Sequence, residues 1–500
     1  MTDLLMIFWT VLNSLLALFV FHELTLMIAA AVGYKKTRNH LPPQTTDFPN
    51  VVIQLPVYNE QFVVRELINT VIAMDYPTEK MEVQILDDST DETTQIIADH
   101  INQLKKTIDI HISHIRRDNR VGYKAGALAH GMTLNEAPFL AIFDADFRPK
   151  PDFLKQTLPH FEDAQIGVVQ TRWGHINETD SILTRAQTVM LDAHFGIEQI
   201  GRTASGGFIN FNGTAGIWRR SCIESAGGWH ADTLTEDLDL SFRAQAKHWK
   251  IHFLSDVVSP AELPTTFGAF RNQQFRWSKG AAECFRKNIE MLWRSPVTFH
   301  AKLIGSFHLL NSSVYLLVLL LTSLAPLVFF VNETNSASVY YWMPYMGMSI
   351  NIMLMLVFLG GKLICQGFNW RTIVWFLPSL YFFFSMSIGI SLHMVMGVIE
   401  GYRGKRSPFV RTPKFGKKHN GTVQKKQTYQ QKSRFNLKAA ELILLFYGLF
   451  WLYIGISQAS PFVITYSFIL ITGFSLALFF DQKTFKIKAP KITTEMLSSS

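Results

Sequence analysis

Three cysteines in 500 residues, Cys222, Cys284 and Cys365, are too few and too scattered for a disulfide scaffold, and their spacing matches no zinc or iron–sulfur pattern. Charge is scarce too. Asp, Glu, Lys and Arg make up 17% of the chain, against about 25% in ordinary soluble proteins, while hydrophobic residues reach 48% and Phe alone numbers 40, so the chain is too apolar to be soluble throughout. The charge that remains excludes a pure membrane bundle: polar and apolar parts must be segregated, and the length leaves room for two or three domains. Acidic residues are absent between Gly401 and Lys438, where twelve of the 47 Lys and Arg residues lie; the other 35 face 39 acidic residues, a balance of −4 within the formal +8. Such a block is usually a solvated loop or a nucleic-acid tail. Its strongly apolar flanks favour a cytoplasmic loop between membrane segments instead, with no nucleic-acid partner.

The apolar runs organise the chain. Leu4 to Gly33 is apolar apart from His22 and Glu23, and Lys35-Lys36-Thr37-Arg38 follows at once, so residues 1–34 read as a retained transmembrane helix whose C-terminal end is cytosolic. His22 and Glu23 either face a polar partner within the membrane or mark where the helix leaves hydrocarbon. Residues 48–264 are mixed in polarity. Strand-length runs at 51–55, 82–86 and 139–143 alternate with helix-length segments at 61–74 and 122–134, a βαβ rhythm that predicts a parallel sheet with ligands at the carboxyl ends of its strands. In 265–300 the residues Phe267, Phe270, Trp277, Ala281, Phe285 and Ile289 recur at three and four, an amphipathic stripe suited to a membrane surface.

Five apolar segments follow, at 302–331, 339–359, 373–399, 439–457 and 460–480, most near the roughly 20 residues a crossing needs. If all five crossed, the basic segment 401–438 and the tail with Lys483, Lys486 and Lys488 would both lie outside, against the positive-inside rule. The segment 373–399, with Pro378 and then Ser385, Ser387, Gly389, Ser391 and His393 on a helical repeat, is therefore expected to be interfacial or re-entrant. The organisation within 301–400 is then transmembrane helices plus that element. Two further transmembrane helices in 439–481 and a cytosolic tail, 482–500, complete the chain.

The candidate chemistry clusters at strand ends. Asp144-Ala145-Asp146 follows the strand ending at Phe143; residues i and i+2 point the same way, so both carboxylates can face one ligand and offer hard oxygen donors to Mg²⁺ or Mn²⁺. Alone, such a pair also occurs in surface turns. Here Asp87-Asp88 closes the preceding strand and Asn59-Glu60 follows the first, and three acidic strand ends in one crevice repel one another without a cation or ligand donors. Gly122-Tyr123-Lys124 adds an ammonium ahead of a helix, suited to a diphosphate or simply to a solvated helix start. Thr235-Glu236-Asp237 opens a helix over 238–247, with Thr235 as N-cap and the acids favoured by the helix dipole on a purely structural account. Gln273-Gln274-Phe275-Arg276-Trp277 sits on the amphipathic stripe, where Arg276 can clamp a phosphate while Trp277 stacks on a sugar or anchors at the interface.

Together Asp87-Asp88-Ser89, Asp144-x-Asp146, Thr235-Glu236-Asp237 and Gln273-x-x-Arg276-Trp277, in this order, resemble the signature of processive family 2 glycosyltransferases of the cellulose-synthase type. Phe211-Asn212-Gly213-Thr214 resembles their Phe-Cys-Gly-Ser acceptor stretch with Asn for Cys, and Phe409-Val410-Arg411-Thr412-Pro413-Lys414 is similar to their gating loop with Arg in a Val position. The likeness covers residues 50 to 480. One N-terminal helix and Ala261-Glu262-Leu263-Pro264 bring it nearer to the cellulose-synthase-like mannan and glucomannan synthases. The resemblance implies an α/β GT-A (Rossmann-like) cytosolic catalytic domain joined to an α-helical multi-pass membrane region, hence an integral membrane protein.

It further implies an inverting hexosyltransferase that uses a nucleotide-sugar donor, GDP-mannose or UDP-glucose, and Mg²⁺ or Mn²⁺ held by Asp144 and Asp146. In that scheme Asp237 is the general base and Glu236 shapes its setting. Glu60, Asp87, Asp88, Lys124, Asp144, Gln273, Arg276, Thr412 and Lys414 bind the donor, with Arg411 near the diphosphate, while Phe211, Asn212, Gly213, Thr214 and Trp277 receive a glycan or glycolipid acceptor. A polymer would thread the helices of the bilayer. The competing readings are a non-processive transferase that glycosylates a membrane lipid, and a catalytically inactive sugar-nucleotide sensor or scaffold. Neither the donor sugar nor any protein partner is encoded in a short motif.

Overall fold

The computed structural model describes residues 2–38, 48–107, 109–334, 342–409, 412, 414 and 436–480. Seven strands, β1 (Val51–Val57), β2 (Met81–Asp87), β3 (His111–Arg116), β4 (Phe139–Ile142), β5 (Ile166–His175), β6 (Gly216–Arg219) and β7 (Lys250–Ala261), form one sheet in the order β3-β2-β1-β4-β6-β5-β7. The central runs are apolar because both faces are covered: Val51, Ile53 and Leu55 pack with Ile68 on one side, while Val52, Leu140 and Ile142 pack with Leu128 and Trp218 on the other. The sheet is mixed rather than wholly parallel. β6 runs antiparallel to β4 and β5; the chain reaches this four-residue strand from β5 through the helical segment 182–204 and then the irregular stretch 205–215. With β6 inserted between them, β4 and the long β5–β7 pair direct their ends to one crevice.

The amphipathic stripe is one helix, Phe267–Arg294, capped by the Thr266 side chain, which accepts from the Ala269 N–H. Six helices among the described residues are long and apolar enough to cross a membrane: Asp3–Tyr34, Phe299–Glu333, Tyr345–Gln366, Trp370–Tyr402, Lys438–Ser457 and Pro461–Phe479.

Trp370–Tyr402 contains the segment expected to be interfacial or re-entrant, and it is unbroken despite Pro378. Its Ser and Gly repeat is a buried protein contact: Ser385 and Ser391 are fully covered, and a Cβ on Gly389 would lie 2.3 Å from the Gly473 carbonyl oxygen. Both ends of this helix touch the layer formed by the sheet domain and the stripe helix. Near one end Arg185 lies 4.8 Å over the Trp375 ring; near the other, Glu400 meets Lys279 of the stripe helix at 3.1 Å and Gly401 packs on Ala282. The preceding helix also ends on that layer, with Lys362 Nζ 2.7 Å from Glu178 and 3.1 Å from Asp192. In the N-terminal helix, His22 stacks on Phe307 at 4.6 Å. Val410, Arg411, Pro413, most of the basic block and the tail with Lys483, Lys486 and Lys488 lie outside the described residues.

Candidate active site

A cavity of about 230 Å³ lies at the carboxyl ends of β1, β2, β4 and β5, floored by the sheet and walled by the stripe helix. Strand alternation selects what reaches it. Asp88, just beyond β2, lines the cavity and takes a two-pronged contact from the Arg117 guanidinium, the Nε bond being 3.0 Å. Asp87, placed with the donor-binding residues by the resemblance, points to the other side and is not part of the lining. It is fully buried, accepting from the Ser89 N–H at 2.8 Å and facing His114 at 2.9 Å. Burial works to raise the Asp87 carboxyl, but the hydrogen bonds from His114 and Ser89 outweigh it and bring it down to about 2. Glu60 lines the same end of the cavity, where Arg120 stacks 3.3 Å over the Tyr58 ring.

Asp144 and Asp146 stand side by side at the end of β4, both in the lining. The Thr214 hydroxyl accepts from the Asp144 N–H at 2.8 Å and so fixes the turn, yet Thr214 itself does not reach the cavity; Phe211 is likewise core, packed edge-on to Trp218. Of the four acceptor-stretch residues only Asn212 and Gly213 face the space. Each Asp carries an ammonium: Lys124 Nζ lies 2.5 Å from Asp144 and Lys414 Nζ 2.5 Å from Asp146. Lys124 also donates to the Gly213 carbonyl at 2.9 Å. Burial disfavours charged Lys124 and Lys414, but the carboxylates around them prevail and hold both above the ordinary lysine range. The two hard-oxygen ligands, with a positive charge already accommodated on each, fit a divalent cation. Away from this cavity, His230, Asp232 and Asp239 form a cluster with metal-ligand reach among the described residues, and Lys287 lies 2.7 Å from Asp232 and 3.1 Å from Asp239.

Across the cavity, Glu236 and Asp237 open the helix Glu236–Ala246. Thr235 holds the N-cap position without capping; its hydroxyl faces Cys284 Sγ at 3.4 Å, and Gly280 opposite leaves it room, since a Cβ there would sit 2.5 Å from Thr235 Cγ2. Burial, reinforced by the neighbouring Glu236 charge, lifts the Asp237 carboxyl to about 7 against the pull of the Leu238 N–H and Lys124. Glu236 is raised as well, by burial first, with Lys124 opposing. Gly213 at φ +79 lets the acceptor loop pass Asp237 closely; a Cβ there would be 3.0 Å from Asp237 Oδ2.

From the stripe helix, Gln273, Arg276 and Trp277 all enter. Arg276 Nη2 donates to the Thr412 hydroxyl at 3.0 Å and its guanidinium stacks 4.5 Å from the Phe409 ring. Burial depresses Arg276 to about 10, with Asp144 and Glu236 resisting. Trp277 lies 6.3 Å from Trp173, a residue sequence reasoning missed together with His175, Tyr58 and Arg120. A second cavity, about 390 Å³, shares Trp173, Asn212, Asp237 and Trp277 with the first and continues among the apolar helices past Tyr315, Phe358 and Phe384. Glu23 of the N-terminal helix lines it.

Residues 49–280 match the family model "Glycosyltransferase like family 2". This region is a glycosyltransferase family 2 domain. The probable glucomannan 4-beta-mannosyltransferase 9 of Oryza sativa subsp. japonica is 41% identical over 278 residues, 55% of this chain and 53% of that one. Glucomannan 4-beta-mannosyltransferase 2 of Arabidopsis thaliana is 40% identical over 297 residues, 56% of each chain. The chain thus spans about half the length of the curated relatives it matches, and these are of the glucomannan-synthase branch that the motifs resemble. A mannosyltransferase from Pyrobaculum calidifontis, solved in complex with GDP-Man and Mn²⁺, shares the GT-A fold with a TM-score of 0.55 at 16% identity, covering 81% of this chain and 100% of that one.

Proposed function

We propose that the protein is a membrane-embedded inverting hexosyltransferase that moves mannosyl units from GDP-mannose to the end of a β-linked glycan. The observation that carries this reading is a cavity in which Asp144, Asp146, Arg276, Asp237 and Trp277 meet, adjoined by a second one that shares Trp173, Asn212, Asp237 and Trp277 with it and extends between the apolar helices. The choice of mannose draws on the glucomannan 4-beta-mannosyltransferases at about 40% identity and on the GDP-Man complex of the fold neighbour.

In this reading Glu60 and Asp88 hold the nucleoside, and Lys124, Arg276, Thr412 and Lys414 surround the diphosphate. Asp144 and Asp146 hold Mg²⁺ or Mn²⁺, which supplies neutralising charge to the leaving diphosphate. Asp237, with a carboxyl poised near neutral pH, takes the proton from the acceptor hydroxyl as it attacks the anomeric carbon from the far side. Trp277 and Trp173 form an aromatic platform for the terminal sugar, a contact that holds a ring without fixing it along its length.

The helix Trp370–Tyr402, meeting the catalytic layer at both ends, lies along the interface, so five other helices cross. The catalytic domain, the basic block and the tail then share the cytosolic face, as the positive-inside rule favours. Incubating membranes that contain the chain with labelled GDP-mannose or UDP-glucose, then digesting the product with linkage-specific glycosidases, tests the assignment. A labelled polymer made from GDP-mannose and cut by a β-1,4-mannanase is expected. Label entering only from UDP-glucose, or appearing only as a single sugar on lipid, overturns it.

A further inference from the structure

The junction of the two cavities is held by a chain of polar side chains that reaches away from the reacting groups. Asn212 lines both spaces. Its backbone N–H is pinned to Gln170 Oε1 at 2.9 Å, and its Oδ1 accepts twice, from His194 Nε2 at 2.9 Å and from Asn210 Nδ2 at 2.9 Å. Its Nδ2 is buried and meets no hydrogen-bond partner among the described residues. A buried amide donor without a partner is costly unless a ligand supplies the acceptor. The other ring nitrogen of His194, Nδ1, lies 3.0 Å from Glu198 Oε2, and Arg202 Nη2 donates to the same oxygen at 2.8 Å. Burial would raise the Glu198 carboxyl, but the Arg202 guanidinium and His194 outweigh it, so it stays ionised.

The backbone is shaped for this contact. His194–Gln199 is a π-helical turn inserted between the α-helices Ile182–Ala193 and Ile200–Ala204, and Gln199 Nε2 donates to the Asn210 carbonyl at 2.9 Å. Such i→i+5 turns sacrifice regular helix geometry and concentrate at functional sites. Here one wide turn grips the 210–212 stretch at two points.

We propose that His194, braced by Glu198 and Arg202, is a positioning residue for the acceptor: it locks the Asn212 amide at the junction, where Nδ2, covered in this structure, becomes a donor to an oxygen of the incoming sugar once the acceptor displaces the side chains over it. This rests on the glycosyltransferase reading above. His194 touches no reacting atom, so its removal affects acceptor use and leaves donor use alone.

The test compares full-length His194→Gln and His194→Asn in detergent or nanodiscs. Gln reaches the Nε2 position and can still donate to Asn212, whereas Asn reaches only the Glu198 side. With β-1,4-mannotetraose as added acceptor and GDP-mannose as donor, His194→Asn is expected to raise the acceptor KM roughly tenfold, the loss of one hydrogen bond. Its KM for GDP-mannose, read from acceptor-free hydrolysis, should stay within about twofold of wild type, and His194→Gln should match wild type in both. Adding His194→Asn to Asn212→Ala should cost nothing further, because both act through one amide. Equal acceptor KM values in His194→Asn and wild type, or fully additive losses in the double variant, overturn the proposal alone. Failure of wild type to transfer to the tetraose removes the functional reading and the proposal with it.

Discussion

Asp237 gives the sharpest handle on the chemistry, because its environment makes a quantitative statement about pH. Burial and the adjacent Glu236 lift its carboxyl to about 7, with Lys124 and the Leu238 N–H holding it from rising further. If the ionised form is the base, activity is lost as pH falls through that value: about half the sites are competent at pH 7, about a tenth at pH 6 and about a hundredth at pH 5. The kcat/KM profile should therefore carry an acid limb of unit slope below about pH 7. Glu236→Gln removes the repelling charge, lowers the Asp237 pKa and moves that limb to lower pH by on the order of one unit. Asp237→Asn abolishes the base and costs roughly a hundred- to ten-thousandfold in kcat. The stability linkage has the opposite sense: a raised carboxyl contributes stability that is full below its unfolded value near 4 and is lost as pH rises through about 7. The assay is initial rate of labelled polymer formation between pH 5 and 8.5, with Asp237→Asn as blank. A flat profile over that range, or a limb that stays in place in Glu236→Gln, would refute the assignment of Asp237.

Other perturbations separate the parts of the site. Trp277→Ala should abolish chain extension while leaving GDP-mannose hydrolysis detectable, since the ring faces the acceptor side with Trp173; equal loss of both would assign it to the donor. Lys414→Ala and Thr412→Ala, which remove the contacts to Asp146 and Arg276, should lower turnover by about tenfold each in a radiometric assay. Gly280→Val pushes a side chain into Thr235 behind the catalytic pair and should lower kcat with little change in donor KM, measured by steady-state kinetics. Lys362→Met leaves the buried Asp192 and the half-buried Glu178 without their ammonium and should destabilise the junction of membrane helix and catalytic domain by about 3 kcal/mol, read as a lower melting temperature in detergent.

What the sequence discloses follows from how local each signal is. Asp144-Ala145-Asp146, Glu236-Asp237 and Gln273 to Trp277 are readable because each sits at the end or on the face of one element, and periodicity places that element. Trp173 and His175 escape notice because β5 joins the crevice only through its place beside β6 and β7, which no local pattern encodes. The left-handed Gly213 and the π-turn at His194 depend equally on distant partners, Asp237 and Asn212. The pair Asp87-Asp88 looks like one motif, but strand alternation gives its two carboxylates opposite surroundings. The Ser and Gly repeat after Pro378 marks a close helix contact whose partner no local pattern names: small residues there admit the backbone of Gly473.

The most direct test of the account is polymer synthesis by the purified full-length chain in proteoliposomes, with Mn²⁺ and labelled GDP-mannose, run beside Asp237→Asn. The account predicts a mannanase-sensitive, high-molecular-weight product from wild type and none above background from the variant. Equal product from both, or a wild-type label confined to a single sugar on lipid, would contradict it.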